Sequence, residues 1–497
     1  MQHATKISLH ARFLCLLIVG VSGSAAIVTA QSSGTFTATS NMTMARSFHT
    51  ATLLPDGKVL IAGGTQSDGR SGLASAELYD PASGTFRRTG DMTTGRRGHT
   101  STLLPDGRVL IVGGYSGAAL TSAELYDPST GTFTATGDMI TARGGLGHTA
   151  ILLPNGKVLV LGGYGTNSFP DVAPAEIYDP ASERFTAAGA YVARGGCDFC
   201  APAILLADGK VLFPGQYPAQ VYDPVTDSFS PSGMTISDPS AAALLTNGKV
   251  LFAGGEGTGR SSSAELYDPE THTFASTSSM AWRRVWHTLT LLPNGMVLAA
   301  GGETDYCAGN SCTFAGSVAS AELYDPSARI FLATGDMAAA REVHTATLLD
   351  DGRVLITGGV SYGGIGIFRG SLASAELYTP DVLVPAPALV SLSRDGRGQG
   401  AIFHAGTSHV AAPDDPAAAG EILDISCTGL SNESVIPPQV AIGGRMAGVI
   451  LFGKDPGASG MSQVRVRVPS GIAPGPAVQV RLTYIDRPSN AVTIAVR

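Results

Sequence analysis

Residues His49 to Gly64 read HTATLLPDGKVLIAGG. Alternation over HTATLL, a Pro-Asp-Gly turn, a β-branched apolar run and a final Gly-Gly describe a β-hairpin. Taken alone, the stretch also offers a histidine, an acidic turn and a glycine pair, which suit a catalytic, metal or phosphate reading. The rest of the chain decides between them. The stretch returns as HTSTLLPDGRVLIVGG from His99, HTAILLPNGKVLVLGG from His148, HTLTLLPNGMVLAAGG from His287 and HTATLLDDGRVLITGG from His344. Degenerate copies start at Ala201 and Ser240, which makes seven.

Two further elements keep step with it. AELYDP or a variant follows each copy, beginning at Ala76, Ala123, Ala175, Ala219, Ala264, Ala321 and Ala375. A GTF element starts at Gly34, Gly84 and Gly131, and weaker forms end in Phe185, Phe229, Phe274 and Phe331. Four short strands repeated about every 40–50 residues are the pattern of a propeller blade. GTF opens the array at Gly34, whereas the last copy stops at Pro380 with none after it. Thr35-Phe36 is therefore expected to supply the outer strand of the final blade, closing the ring and removing a free edge. The expected fold is all-β: a seven-bladed β-propeller over residues 34–380, a Pro-rich linker over 381–390, and a β-sandwich over 391–497. The tail earns its reading from short alternating runs such as Val464-Arg465-Val466-Arg467-Val468.

The Gly-Gly doublet, the Glu-x-Tyr-Asp-Pro that follows, the outer-strand aromatic and the Met-x-x-x-Arg linker (Met42 and Arg46, Met337 and Arg341) resemble kelch repeats. Phe stands where kelch repeats usually carry Trp. The tail, through GEILDISCTGL and SNAVTIAV, resembles an immunoglobulin-like module found on exported bacterial proteins. A kelch propeller followed by such a module resembles the galactose oxidase family in domain layout. That resemblance implies a secreted copper oxidase of carbohydrates or alcohols, with a Tyr-His pair before an inner strand, a second His from the C-terminal domain and a Tyr joined to a Cys. The residues preceding the five histidines are Phe48, Gly98, Gly147, Trp286 and Val343, so the Tyr-His pair is not matched. Tyr306-Cys307 are sequence neighbours, and His404 and His409 lack partners in the sequence pattern.

Composition narrows the partners. A formal net charge of -8 with no Lys/Arg-rich run argues against nucleic acid and anionic lipid. Lys6 and Arg12, the apolar run Phe13–Val19 and small residues ending at Ala30 read as a secretory signal peptide over residues 1–30. This predicts a secreted, extracellular or cell-surface protein with no membrane span after cleavage. In that oxidising setting Cys197 with Cys200 and Cys307 with Cys312 are disulfide candidates, and Cys427 is a buried thiol. A zinc site from the four loop cysteines is the competing idea.

Repetition also filters the chemistry. A residue present in every blade is scaffold, because one active site cannot use seven copies. His49, His99, His148, His287 and His344 are thus expected to hydrogen-bond within or between blades, and the repeated arginines and glutamates to pair. No H-E-x-x-H helix is present. The segments after Gly-Gly vary most and share one face of the ring with the interblade linkers. They supply the ligand-binding candidates Asp68, Arg70, Tyr115, Tyr164, Asn167, Phe169, Asp171, Glu303, Asp305, Tyr306, Tyr362, Phe368 and Arg369. The expectation is a monomeric binding protein, with no catalytic residue, metal or cofactor, that recognises an extracellular protein or glycan. Copper enters only with the oxidase alternative.

Overall fold

The computed structural model describes residues 34–66, 71–164, 174–189, 202–214, 218–235, 238–255, 261–308, 311–363, 367–431, 434–455 and 457–497. All belong to one compact unit, Ser33–Arg497. The signal peptide, Asp68, Arg70, Asn167, Phe169, Asp171, Cys197 and Cys200 lie outside the described residues.

Each repeat becomes one four-stranded antiparallel sheet, and there are seven such sheets. In blade 1 the inner strand Thr50–Leu53 turns through Pro-Asp-Gly into Val59–Ala62, followed by Ala76–Asp80 and Thr85–Arg88. The second strand is buried along its whole length because it faces neighbouring blades on both sides. The outer strand is exposed except for its aromatic, Phe86, which packs on Tyr79 with ring centroids 4.8 Å apart. Phe thus takes the place of the usual outer-strand Trp without leaving a gap. Blade 7 is completed by the N-terminus: Thr35–Ala38 pairs antiparallel with Ala375–Thr379. The apolar core lies between blades rather than within them. Leu60, Ala62 and Ala76 of blade 1 pack on Val109, Ile111 and Tyr126 of blade 2, and Val59, Ile61 and Tyr79 pack on Leu349, Leu355 and Leu377 of blade 7.

The repeated polar residues stitch the ring. His99 Nε2 sits 3.0 Å from the Thr50 hydroxyl of the preceding blade, His344 Nε2 3.2 Å from Thr288, and His49 Nε2 3.0 Å from Thr357 across the closure. The same imidazole explains the first glycine of each doublet. Gly63 has φ +62°, and a Cβ there would stand 2.5 Å from the Arg96 carbonyl and 2.7 Å from His99 Cε1. Histidine and glycine are two halves of one interblade contact. The linker arginines bind their own blades: Arg46 donates to the Gly63 and Ser75 carbonyls and pairs with Glu77 at 2.8 Å, both side chains being fully buried. Arg96–Glu124, Arg143–Glu176, Arg284–Glu322 and Arg341–Glu376 repeat the pair. Arg284 was not among the repeated arginines picked out from the sequence pattern.

Two of the variable segments are strands, not the loops expected. Glu303–Ala308 and Ser311–Ser317 form one hairpin, and Val360–Gly363 and Ile367–Ser371 another. Their Cα register sets Cys307 opposite Cys312.

The C-terminal domain is a nine-stranded sheet folded over one core. Its long strand Arg445–Lys454 pairs with Gln439–Ile442 at one end and Ser462–Arg467 at the other, with a register shift at Val449/Leu451 near the start of the second pairing. That irregularity lets one strand serve both layers of a sandwich. Cys427 is fully buried in this core as a free thiol, and burial pushes its pKa up to about 12. The sandwich sits on the face of the propeller that carries the Pro-Asp-Gly turns. Val435 N donates to Thr246 O at 2.9 Å, and Arg487 Nη1 donates to Val384 O at 2.6 Å and Asp350 O at 3.4 Å.

Candidate functional site at the upper mouth of the axial channel

Strand direction sorts the molecule into two faces. Inner strands run from the His position down to the Pro-Asp-Gly turn, where the sandwich docks. The Gly-Gly segments and interblade linkers meet on the opposite, upper face. On the axis, from the inner strands to the sandwich, lies a cavity of about 580 Å³. Its wall is made of inner-strand residues from all seven blades, such as Ala51, Thr102, Ile151, Ala243 and Thr347, and none of these wall positions is titratable. The charged groups lining the cavity, Arg481 and Asp486, come from the sandwich. Ile485 and Asp486 form the tip of a hairpin, with φ of 49° and 56°. A β-branched residue with positive φ is uncommon and marks strain. The surface that Asp486 keeps opens into the channel, and the surrounding protein raises its carboxyl pKa.

The upper mouth has a rim made by the residues before the histidines. The Val343 amide donates to Trp286 O at 3.2 Å, Phe48 to Val343 O at 3.4 Å, and Gly98 to Phe48 O at 2.9 Å. This chain of interblade bonds holds Phe48, Trp286 and Val343 at positive φ, where Gly98 needs no such support. One step out lies a second ring, in which each linker bridges to the residue following its Gly-Gly: Ser47 to Thr65, Arg97 to Tyr115, Val285 to Glu303 and Glu342 to Val360. Backbone bonds of 3.2 and 2.9 Å fix Arg97 and Tyr115 to each other. The Arg97 guanidinium carbon lies 5.0 Å from the Tyr115 ring centroid and 5.8 Å from that of Phe48. Such an arrangement is a cation–π clamp.

Across this ring the expected candidates divide. Glu303 and Asp305 are buried, at 4% and 8% exposure, rather than displayed. Glu342, which the sequence pattern did not single out, is 1% exposed and accepts a hydrogen bond from Ser317 at 3.0 Å. Tyr362 packs between Phe314 and Phe368, with centroids 5.6 and 5.3 Å away, so the two added hairpins share an aromatic seam. Phe368 is 42% exposed, and Arg369 folds across Gly363, where a Cβ would meet its Nε at 2.8 Å. Tyr164 ends the strand Val158–Tyr164, and Tyr306 lies in Glu303–Ala308; their side chains fall outside the described residues. The structure brings Tyr115, Glu303 and Asp305 to the mouth and sets Tyr362, Phe368 and Arg369 on the hairpin wall. Arg97, Phe48 and Glu342 were missed. The signal was available, since position 97 differs in every readable copy, but it lies before the histidine, where attention to the Gly-Gly segments did not reach.

Fold and site together define a seven-bladed kelch-type propeller capped by a C-terminal β-sandwich. A family profile, the Kelch motif, matches residues 96–140. No curated protein matches the chain in sequence. Among solved structures it is similar to a fungal alcohol oxidase of the AA5 family in complex with copper. That similarity has a TM-score of 0.60 at 18% identity and covers 94% of this chain and 100% of that one. At this identity the likeness is one of fold, and it extends over both domains, as the resemblance to the galactose oxidase layout implies.

Copper in that neighbour invites a test of the donors here. His49, His99, His148 and His344 are engaged between blades, and His287 is packed against Gly254. Burial lowers the pKa of His49 and His287 to about 3. His272 pairs with the Tyr267 hydroxyl at 3.0 Å, His404 with Glu421, and His409 lies 3.5 Å from Asp415 on the sandwich. None of these eight lines the channel. Among the described residues no three His, Cys, Asp or Glu side chains are grouped to hold a metal. The donor set does not fit a copper centre built from two histidines and two tyrosines.

Proposed function

We propose that the upper mouth of the channel binds a small hydroxyl-bearing molecule of the alcohol or carbohydrate class, on a scaffold of the galactose oxidase type. The observation that carries this reading is Arg97 clamped between Phe48 and Tyr115, on the same ring as the buried carboxylates of Glu303 and Glu342. Aromatic faces suit the apolar face of a sugar, and fixed polar groups suit its hydroxyls. Likeness over the full chain to an alcohol oxidase supports a small-molecule ligand over a protein partner. The N-terminal leader supports an extracellular setting.

Oxidation of that ligand is the second reading. The comparison with the copper-bound oxidase backs it better than it backs a protein-recognition role, while the histidine placement tells against the usual donors. Metal analysis of the purified chain, a peroxide-release assay with galactose and simple primary alcohols, and calorimetry with the same compounds decide between them. Saturable binding weakened about tenfold by Tyr115→Ala is the expected result. Stoichiometric copper with peroxide release moves the assignment to the oxidase. Absence of both binding and turnover removes the mouth as a ligand site.

A further inference from the structure

Five arginines in the propeller end in the same way. Arg46, Arg96, Arg143, Arg284 and Arg341 are fully buried, and each is paired with a glutamate at 2.7–2.9 Å. Arg97, adjacent to one of them in sequence, does not follow the pattern. It is half-buried, its Nε is buried without a hydrogen-bond partner, and among the described residues its guanidinium has no carboxylate partner. Among the described residues, two aromatic faces flank it. Stacked rings occupy the faces of a guanidinium plate and not its edge, so the N–H groups of its two terminal nitrogens can serve a ligand. The edge is the part that recognises a planar anion with two parallel hydrogen bonds. The clamp is also rigid: Tyr115 is tied to Arg97 by two backbone bonds, and Phe48 is held in the rim by the Val343 carbonyl. Little ordering is left to do when a ligand arrives.

The repeat supplies a control for this reading. The equivalents of position 97 are Ser47, Leu146, Asp238, Val285 and Glu342, so the cation occurs once and has no scaffold duty in other blades. Glu342, two blades away on the same ring, and Glu303 are buried carboxylates, and Asp305 lies 3.9 Å from Arg283. The chain as a whole carries a net charge of -8. A single forked cation matches a single anionic group, and the net negative charge of the chain disfavours a polyanion.

We propose that Arg97, clamped by Phe48 and Tyr115, binds the carboxylate of a mono-anionic sugar acid, a uronate in which one carboxylate accompanies several hydroxyls. This rests on the ligand site proposed above and names its ligand class. The test is calorimetry or NMR titration of the purified chain at low salt with methyl glucuronoside or galacturonoside, with the corresponding neutral methyl glycosides, and with inorganic sulfate and phosphate. The uronoside should bind at least about tenfold more tightly than the neutral sugar, and Arg97→Gln should bring that ratio to about one, whatever it does to the affinity for the neutral sugar. Arg97→Lys should retain part of the preference, since the charge survives and the fork does not. The thermal midpoint of each variant guards against loss of fold. Equal binding of neutral and acidic sugar, or a uronoside preference that survives Arg97→Gln, overturns the inference and leaves the broader site intact. Sulfate or phosphate binding as tightly as the uronoside through Arg97 overturns the carboxylate assignment in favour of a general anion site. Binding of none of the probes overturns both readings together.

Discussion

His287 faces a blade that has lost its hydroxyl: where Thr50 meets His99 and Thr288 meets His344, the equivalent residue before His287 is Ala241. Both ring nitrogens of His287 are buried, and among the described residues neither has a hydrogen-bond partner. The opposite extreme is His49, which meets two hydroxyls, Thr345 and Thr357. Ala241→Thr should therefore supply the hydroxyl contact that three sister interfaces make. The expected gain is about 1 kcal/mol, read as a higher thermal midpoint at a fixed scan rate. An unchanged or lower midpoint would mean that the hydroxyl does not set the strength of this contact.

Acid should open the ring through its histidines. Burial lowers the pKa of His49 and His287 to about 3, and that of His99 and His344 well below the ordinary value. The unfolded chain binds protons at these sites from about pH 6.5 downward, whereas the folded chain does not. Stability then falls as pH drops below about 6.5 and continues to fall toward pH 3. Each histidine adds a slope of about 1.4 kcal/mol per pH unit at full effect. Denaturation midpoints between pH 7 and 4 should show the decline, and His49→Gln should make it shallower. A flat profile rules out the neutral buried state.

Asp350 breaks the repeat in the other direction. It replaces the proline of the inner-hairpin turn, as in Pro55 and Pro105, and burial raises its pKa to about 6. Its Oδ1 is buried without a partner, and the Arg487 charge nearby only partly offsets the burial. A carboxyl raised in the folded state favours folding while protonated, so its contribution is full below about pH 3.8 and is lost as pH rises through 6. Asp350→Asn should raise the unfolding free energy at pH 8 by an amount on the order of 1–3 kcal/mol and give no gain at pH 4. A gain of equal size at both values would point to packing instead of charge.

The linker pairs should be costly to break singly and cheap to replace together. Glu322→Ala strands Arg284, which is fully buried and also donates to Gly301 O and Ser320 O. The expected loss is about 3–5 kcal/mol. Arg284→Met with Glu322→Leu removes both charges and should recover much of that loss, although the two carbonyls then lack their donor. A double variant as unstable as the single one would show that the carbonyl bonds, not the charge pair, hold the linker.

How far the sequence could be read follows from what repeats. Seven copies in register specified the blade, the ring and its closure by Thr35–Ala38, because a strand pattern that recurs can only be buried by its neighbours. The same repetition marked His99 and Gly63 as scaffold, though not that they touch each other across an interface. It could not show that the segments after Gly302 and Gly359 fold into hairpins, since their alternation is short and interrupted by glycine. The mouth was legible only in part. Tyr115 stood out as a variable aromatic, whereas Arg97 gains its meaning from Phe48, a residue 49 positions earlier on the adjacent blade. Local pattern determines which strands form and which residues are common to all blades. The clamp, the neutral channel wall and the docking of the sandwich on the turn face depend on which blades become neighbours when the ring closes. Those contacts join residues far apart in sequence, and no spacing along the chain encodes them.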